Sequence, residues 1–312
     1  MPILSSQGVR TIGVMSPSST IVRERFEVGL SILRGMGFKV IVHPQSYEGA
    51  DSDHQNTGNT AHKVAALRDL TANPEIDLIM ASCGGNRACF MLDLLDIAQD
   101  LRKPMMGFSD TCMLLAAQYR AGVAGIFGPT VQTLTRMDAQ HLNLTHQILK
   151  GTTQGLTESD FPTAIPLHTQ PFDPITAPVF ATTLSILCSL FGTKYMPNLE
   201  GHILILEDIG EEISHLDRSL WHLRQIFPAS FLKGLVFGEF LNMIDTGRPY
   251  GEGLENILKN HARAFGCPVL MHYPIGHSGA IFPIFQGEPI TLDVINAAKG
   301  RLIFCSHLLK TK

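Results

Sequence analysis

The chain has 312 residues, of which 45% are hydrophobic and 17% are charged, and its formal net charge is −4 at pH 7. This length suits one large or two modest globular domains, and the slightly acidic charge gives no electrostatic footprint for binding nucleic acid or an anionic membrane. No apolar run approaches the ~20 residues of a membrane-spanning helix, and Met1–Ser6 lacks the basic start and apolar core of a secretory signal. We expect a cytoplasmic protein with no nucleic-acid or membrane partner.

The first half of the chain alternates predicted strands and helices. In order, these are Arg10–Met15, Arg23–Met36, Lys39–His43, Ala61–Ala72, Ile76–Ala81, Ala88–Leu101, Met105–Phe108, a helix from Cys112, and Gly125–Pro129. Strand–helix alternation predicts a mostly parallel, doubly wound (flavodoxin-like) sheet with helices on both faces. The loop Ser16–Thr20 is not Gly-x-Gly-x-x-Gly, so a dinucleotide-binding fingerprint is not supported.

The sequence of the second half of the chain predicts a smaller α/β domain. A Thr- and Pro-rich segment, 151–180, reads as a crossover, which gives an N-terminal domain at 1–150 and a C-terminal domain at 181–312. The predicted elements beyond it are the helix Thr182–Leu190, the strand His202–Leu206, the helix Leu216–Ile226, the strand Gly234–Phe240, the helix Gly253–Phe265, the strand Pro268–Tyr273 and a closing hairpin of Glu288–Asp293 with Arg301–Cys305.

The cysteines carry no metal or disulfide signal. They are Cys83, Cys89, Cys112, Cys188, Cys267 and Cys305. No Cys-x-x-Cys pair, disulfide-framework density or His-Glu-x-x-His spacing is present. We therefore expect reduced cysteines, no metal site and no cofactor, with Cys83 distinguished by its place in a Gly-rich loop.

One sharp turn between a strand and a helix carries a candidate nucleophile. Met105–Phe108 ends a buried strand, Ser109 follows it, and a helix begins near Cys112. Such a turn lifts a hydroxyl above the sheet, beside backbone N–H groups that can hold an oxyanion. Capping of the helix by Ser109 or Asp110 accounts for the same residues, and Thr111 replaces the second glycine of Gly-x-Ser-x-Gly. On this stretch alone, both interpretations stay open.

A Gly-rich loop, Ser82–Arg87, follows the third predicted strand. Gly84 and Gly85 permit a close backbone approach or a positive φ at this strand-to-helix junction. They indicate either an oxyanion or substrate cradle or simply a tight turn.

Three residue types needed for acyl transfer follow predicted buried strands: Ser109, Glu207 and His277. In that chemistry the imidazole removes the serine proton, the carboxylate fixes the imidazole tautomer, and backbone N–H groups hold the oxyanion. His277 stands out among 13 histidines because glycines flank it in a loop after a strand.

Ordered motifs along most of the chain resemble the serine L,D-carboxypeptidase family, which also contains the microcin C self-immunity proteins. The motifs are Gly13–Ser18, Ser82–Asn86, Gly107–Asp110, Gly128-Pro129, Leu190–Tyr195, Ile205–Asp208, Leu216–Arg218 and Gly276-His277. The resemblance implies a metal-independent, generally cytoplasmic and often homodimeric serine peptidase.

The resemblance also implies roles for individual residues. The triad would be Ser109, Glu207 and His277, and the oxyanion hole would use the backbone N–H of Asp110 and of Gly84 or Gly85. The serine would belong to the N-terminal domain, and the other two residues to the C-terminal domain.

Departures from the family pattern bear on the substrate. Gly-Gly-Asn at 84–86 is closer to the microcin-immunity branch than the Arg-Gly-Gly-Tyr-Gly of muropeptide-cleaving members. Ala181–Leu184 replaces the usual Gly-Gly-Asn-Leu. Asn86, Arg87 and Asp208 are candidate substrate-binding residues; Arg87 could pair with a substrate carboxylate or phosphate, or be a solvated first-turn arginine.

The sequence therefore predicts a serine carboxypeptidase that cleaves a C-terminal amide of a small peptide or peptide conjugate. The candidate substrates are a murein tetrapeptide and a peptidyl or aminoacyl nucleotide of the microcin C type. The alternative is a non-catalytic small-molecule or peptide binding module on the same fold.

Overall fold

A computed structural model describes residues 8–54, 58–152, 161–167, 173–245, 247–296 and 298–304. The strands are β1 Thr11–Met15, β2 Lys39–Val42, β3 Leu78–Ala81, β4 Met105–Gly107, β5 Ile126–Phe127, β6 Thr163–Pro166, β7 Ile175–Thr183, β8 Ile203–Ile209, β9 Gly234–Leu241, β10 Val269–Met271, β11 Ile284–Phe285, β12 Pro289–Asn296 and β13 Lys299–Phe304. The helices are α1 Arg23–Gly35, α2 Thr60–Ala72, α3 Cys89–Leu92, α4 Ile97–Asp100, α5 Cys112–Arg120, α6 Ala139–Lys150, α7 Leu184–Leu190, α8 Ile213–Ile226 and α9 Leu254–Ala262. Within these ranges, no helix combines the length and apolarity needed to cross a membrane.

The first sheet has the doubly wound order predicted from the sequence. Its parallel strands run β2-β1-β3-β4-β5, and β11 from the C-terminal half pairs antiparallel with β5. The chain direction across the sheet reverses between β1 and β3, and ligand sites of such sheets lie outside the carboxyl ends of the strands. The loops after β1, β3 and β4 all open at that edge.

The second sheet is closed, in the order β10-β6-β13-β12-β7-β8-β9. The predicted closing hairpin is present as β12 and β13, whereas Cys305 lies outside the described residues. Strand β6 and the start of β7 fall within 151–180, so this segment contributes strands to the second sheet. The division of the chain at 150 and 180 stays a prediction.

The helix predicted at Ala88–Leu101 is wrong: two short helices, α3 and α4, occupy that stretch. The long helix is interrupted because Asp96 caps the start of a second one. Its side chain accepts a hydrogen bond from the Gln99 N–H (3.4 Å). Arg68 then holds Asp100 at the end of α4 through a 2.9 Å ion pair.

A buried glutamine joins the two sheets. Gln286 is 1% exposed, donates through Nε2 to the Ala181 carbonyl at 2.7 Å and accepts from the Ala181 N–H at 2.9 Å. Because Gln286 follows β11 and Ala181 lies in β7, this reciprocal pair fixes the edge of the first sheet against the second.

Candidate active site

The backbone of the strand-to-helix turn at Ser109 is strained. Phe108 is extended, whereas Ser109 has φ 58°, a value that non-glycine residues rarely adopt. A short 3-10 turn, Ser109–Thr111, leads directly into α5. Gly107 permits this tight turn because a Cβ there would lie 2.8 Å from the Thr111 Cγ2.

Ser109 opens onto a cleft of about 360 Å³ at the carboxyl edge of the first sheet, which Gly84, Gly85, Phe108 and His277 also line. The imidazole of His277 packs on the Phe108 ring, with 4.8 Å between ring centroids. The structure brings Ser109 and His277 to one cleft but records no hydrogen bond between them among the described residues. In structures without substrate, such catalytic hydrogen bonds are often long.

A fully buried carboxylate holds His277. Glu207 is 0% exposed, and its Oε2 lies 2.5 Å from His277 Nδ1. Its Oε1 accepts a 2.5 Å hydrogen bond from the hydroxyl of Thr183, which is the register partner of Glu207 on β7. Both carboxylate oxygens are therefore engaged, and Nε2 of His277 is left for proton transfer.

Gly84 brings its backbone against the serine. A Cβ on Gly84 would lie 2.9 Å from Ser109 Cβ and 3.1 Å from Ser109 Oγ, so only glycine fits without displacement. Gly85 has φ +121°, and a Cβ there would meet Ser19 Oγ at 2.1 Å. Among the described residues, neither glycine N–H has an acceptor, so both are free to donate to a ligand.

The side chain of Asp110 has a structural contact. Its Oδ2 accepts a 2.8 Å hydrogen bond from the Ala88 N–H, which ties the start of α3 to the turn. Burial raises the pKa of Asp110, and the nearby ammonium of Lys63 opposes that rise. Burial also lowers the pKa of Lys63, which donates to the Ser18 carbonyl. Asp110 thus joins the turn to the start of α3, and Lys63 joins α2 to the loop after β1.

Sequence reasoning missed Glu239, which holds the loop that carries His277. Ser278 donates to Glu239 through its N–H (2.9 Å) and its hydroxyl (2.5 Å). A β-bulge redirects this carboxylate, because the β8–β9 register passes from Leu206–Phe237 to Asp208–Phe240. The available signal was a lone carboxylate in an otherwise apolar strand.

Replacing Glu239 with alanine is expected to lower kcat about 10- to 100-fold while KM changes little, because the His277 loop loses two hydrogen bonds but the cleft keeps its lining. Glu239→Gln, which keeps one acceptor oxygen, is expected to recover most of the loss. Steady-state kinetics of both variants test this. If the loss of kcat instead accompanies a loss of thermal stability in both variants, and Glu239→Gln recovers neither, Glu239 supports only the fold.

The three residues predicted to bind substrate do not line the cleft. Arg87 stacks over the Phe90 ring at 4.7 Å, and the Asn86 N–H donates to Ser19 Oγ at 3.1 Å. Their roles toward a substrate stay predictions. Asp208 departs from the expected substrate-binding position, because it is 2% exposed and caps α7 by accepting from the Ser185 N–H at 2.8 Å.

The burial of Asp208 has a measurable consequence for stability. Burial raises its pKa from 3.8 to about 6, so between these pH values the unfolded chain has lost a proton that the native protein keeps. The free energy of unfolding should fall by up to about 3 kcal/mol as pH rises from 4 to 7, and Asp208→Asn should lack this slope. Urea titrations across that range compare the two proteins. If the free energies of unfolding of the two proteins change with pH in the same way, the raised pKa does not belong to Asp208.

Cys83 also lines the cleft, but its thiol is buried and engaged. Its Sγ donates to the Ser19 carbonyl at 3.2 Å, and burial raises its pKa to about 11, so it stays a thiol near neutral pH. Across the described part of the chain, no group of three or more His, Cys, Asp or Glu side chains could hold a metal ion.

A strained serine, a histidine held by a buried carboxylate and free glycine N–H groups in one cleft are typical of serine hydrolases. Two family models match the chain: the LD-carboxypeptidase N-terminal domain over residues 12–128 and the LD-carboxypeptidase C-terminal domain over residues 176–292. The chain therefore belongs to the LD-carboxypeptidase family and is a serine peptidase.

Individual relatives agree with this assignment along nearly the whole chain. A relative from Streptomyces coelicolor named as a carboxypeptidase is 28% identical and covers 94% of this chain and 93% of its own. The microcin C7 self-immunity protein MccF of Escherichia coli is 23% identical and covers 92% of this chain and 91% of its own. The crystal structure of muramoyltetrapeptide carboxypeptidase from Oxalobacter formigenes superimposes with a TM-score of 0.79, 21% identity and coverage of 94% of this chain and 97% of that chain.

Proposed function

We propose that the protein hydrolyses an amide at the C-terminal side of a small peptide or peptide conjugate, with Ser109 as nucleophile, His277 as general base and acid, and Glu207 as the residue that orients His277. The observation that carries this proposal is the 2.5 Å contact between Glu207 Oε2 and His277 Nδ1 beside the cleft that Ser109 opens onto. That contact fixes the tautomer in which Nε2 can accept a proton.

The reaction follows from this arrangement. Ser109 Oγ attacks the scissile carbonyl and passes its proton to Nε2 of His277, and the carbonyl becomes an oxyanion. The N–H groups of Asp110 and of Gly84 or Gly85 hold that oxyanion. His277 then protonates the leaving nitrogen, the C–N bond breaks, and an acyl-enzyme forms. Water, activated by the same imidazole, releases the acid and restores Ser109.

Two substrate classes fit the proposal, and the names of relatives point to both. One is the murein tetrapeptide, which would lose its terminal D-Ala. The other is a peptidyl or aminoacyl nucleotide of the microcin C type, which the Gly-Gly-Asn sequence at 84–86 favours. The cytoplasmic location that the sequence predicts and the homodimer that the family resemblance implies also stay predictions.

Mass-spectrometric product analysis separates the two substrate classes. The purified protein is incubated with murein tetrapeptide and, separately, with an aspartyl sulfamoyl adenosine conjugate. Release of D-Ala alone establishes the muropeptide carboxypeptidase, and cleavage of the conjugate alone establishes the nucleotide-directed peptidase. Tight binding of either compound without any product would replace this proposal with a non-catalytic binding module.

A further inference from the structure

Two arginines that the mechanism does not use line the cleft. They are Arg25, in the first turn of α1, and Arg136, at the end of the 3-10 turn Thr133–Arg136. Among the described residues, neither guanidinium has a hydrogen-bond, ion-pair or aromatic partner. The carboxylate of the cleft, Asp51, is already engaged, because its two oxygens accept from the backbone N–H (2.9 Å) and the Nε (3.0 Å) of Arg23. The unpaired charge in the cleft is thus positive.

The segments that carry the two arginines are fixed to each other. Gln132 Oε1 accepts a 2.9 Å hydrogen bond from the Val22 N–H, just before α1. Gly29 of α1 packs so closely on the Val131 carbonyl that a Cβ there would lie 2.1 Å from its oxygen. Arg25 and Arg136 therefore stand on backbone segments that a hydrogen bond and close packing hold together, and not on a free loop.

Arg136 lies next to the loop that carries His277. A Cβ on Gly279, two residues after His277, would lie 2.5 Å from the Arg136 carbonyl oxygen. Arg136 thus borders the His277 loop. In the proposed mechanism, His277 protonates the leaving nitrogen, so this side of the cleft receives the leaving group.

Both candidate substrate classes carry negative charge on their leaving group. A terminal amino acid carries its carboxylate, and a nucleotide conjugate carries a phosphoryl group or, in the sulfamoyl analogue, sulfonyl oxygens that share the charge of the acylated nitrogen. Guanidinium groups recognise such oxyanions through paired, charge-assisted hydrogen bonds. We propose that Arg25 and Arg136 form the leaving-group subsite and select substrates with an oxyanion next to the scissile amide, an inference that rests on the proposed function.

Binding measurements in a Ser109→Ala background test this subsite without relying on turnover. Calorimetry compares murein tetrapeptide, the same peptide with a C-terminal carboxamide, and aspartyl sulfamoyl adenosine. The double variant Arg25→Gln/Arg136→Gln is matched by Arg34→Gln, which removes a charge from the last turn of the same helix, outside the cleft lining. The parent should bind at least one anionic probe, and the double variant should bind that probe about 10- to 100-fold more weakly, with Arg34→Gln unchanged.

The pattern of losses identifies the oxyanion. A loss for the tetrapeptide but not for its carboxamide assigns the subsite to a terminal carboxylate, whereas a loss for the sulfamoyl conjugate alone assigns it to a nucleotide leaving group. Unchanged affinities in the double variant, or no binding of either anionic probe, would overturn the subsite. Arginine-dependent binding without turnover by the protein that retains Ser109 would instead overturn the proposed hydrolysis and leave the subsite standing.

Discussion

Ser109→Ala is expected to lower kcat/KM about 10⁴- to 10⁶-fold, because the variant keeps the cleft and the oxyanion donors but has no nucleophile. The fold should persist, since alanine tolerates φ 58° about as well as serine does. Steady-state kinetics and circular dichroism of the purified variant test both statements. Ser189→Ala, on the exposed face of α7, provides a control that should keep full activity.

A second variant separates the loss of chemistry from a loss of structure. Ser109→Gly also removes the hydroxyl but suits the positive φ of this position, so it should be inactive and as much as about 1 kcal/mol more stable than the parent. Turnover within 10-fold of the parent in either variant would exclude Ser109 as the nucleophile.

Glu207→Gln is expected to lower kcat about 10³- to 10⁴-fold with a small change in KM. The amide of glutamine would face His277 Nδ1, now 2.5 Å from a carboxylate oxygen, and could hold the imidazole in the wrong tautomer. The Thr183 hydroxyl would still find an acceptor oxygen, so the geometry around residue 207 should survive.

Stopped-time product assays and thermal unfolding of this variant test the prediction. Glu255→Gln, on α9 and away from the cleft, controls for the loss of one carboxylate. A drop in activity that merely follows a drop in thermal stability would assign Glu207 to the fold and not to the orientation of His277.

Patterns local to the chain were sufficient to predict the parallel sheet and the sharp turn that carries Ser109. Apolar runs such as Ile76–Ala81 and the glycines around residue 84 specify buried strands and close turns by themselves. The parallel, doubly wound arrangement of the first sheet also follows from the alternation of strands and helices. Because apolar runs locate the strands, Glu207 and His277 could also be singled out by their places near the ends of predicted strands.

Contacts that depend on pairing between distant strands could not be predicted in this way. Thr183 reaches Glu207 only because β7 and β8 are in register, and Glu239 turns toward Ser278 only because β9 has a bulge. Arg25 and Arg136 meet in one cleft through the packing of α1 on the Thr133–Arg136 turn. Asp208 shows the reverse error, because a polar residue near a strand end looked like a site residue until its burial and its cap of α7 were known.

Active-site labelling with a fluorophosphonate, followed by peptide mapping and a parallel turnover assay, shows whether His277 activates Ser109 as the nucleophile. A single adduct on Ser109 is expected, formed in step with the loss of turnover, slowed by substrate and absent from His277→Ala. Turnover that survives complete modification of Ser109, or inactivation through an adduct on another residue, would show that Ser109 is not the nucleophile.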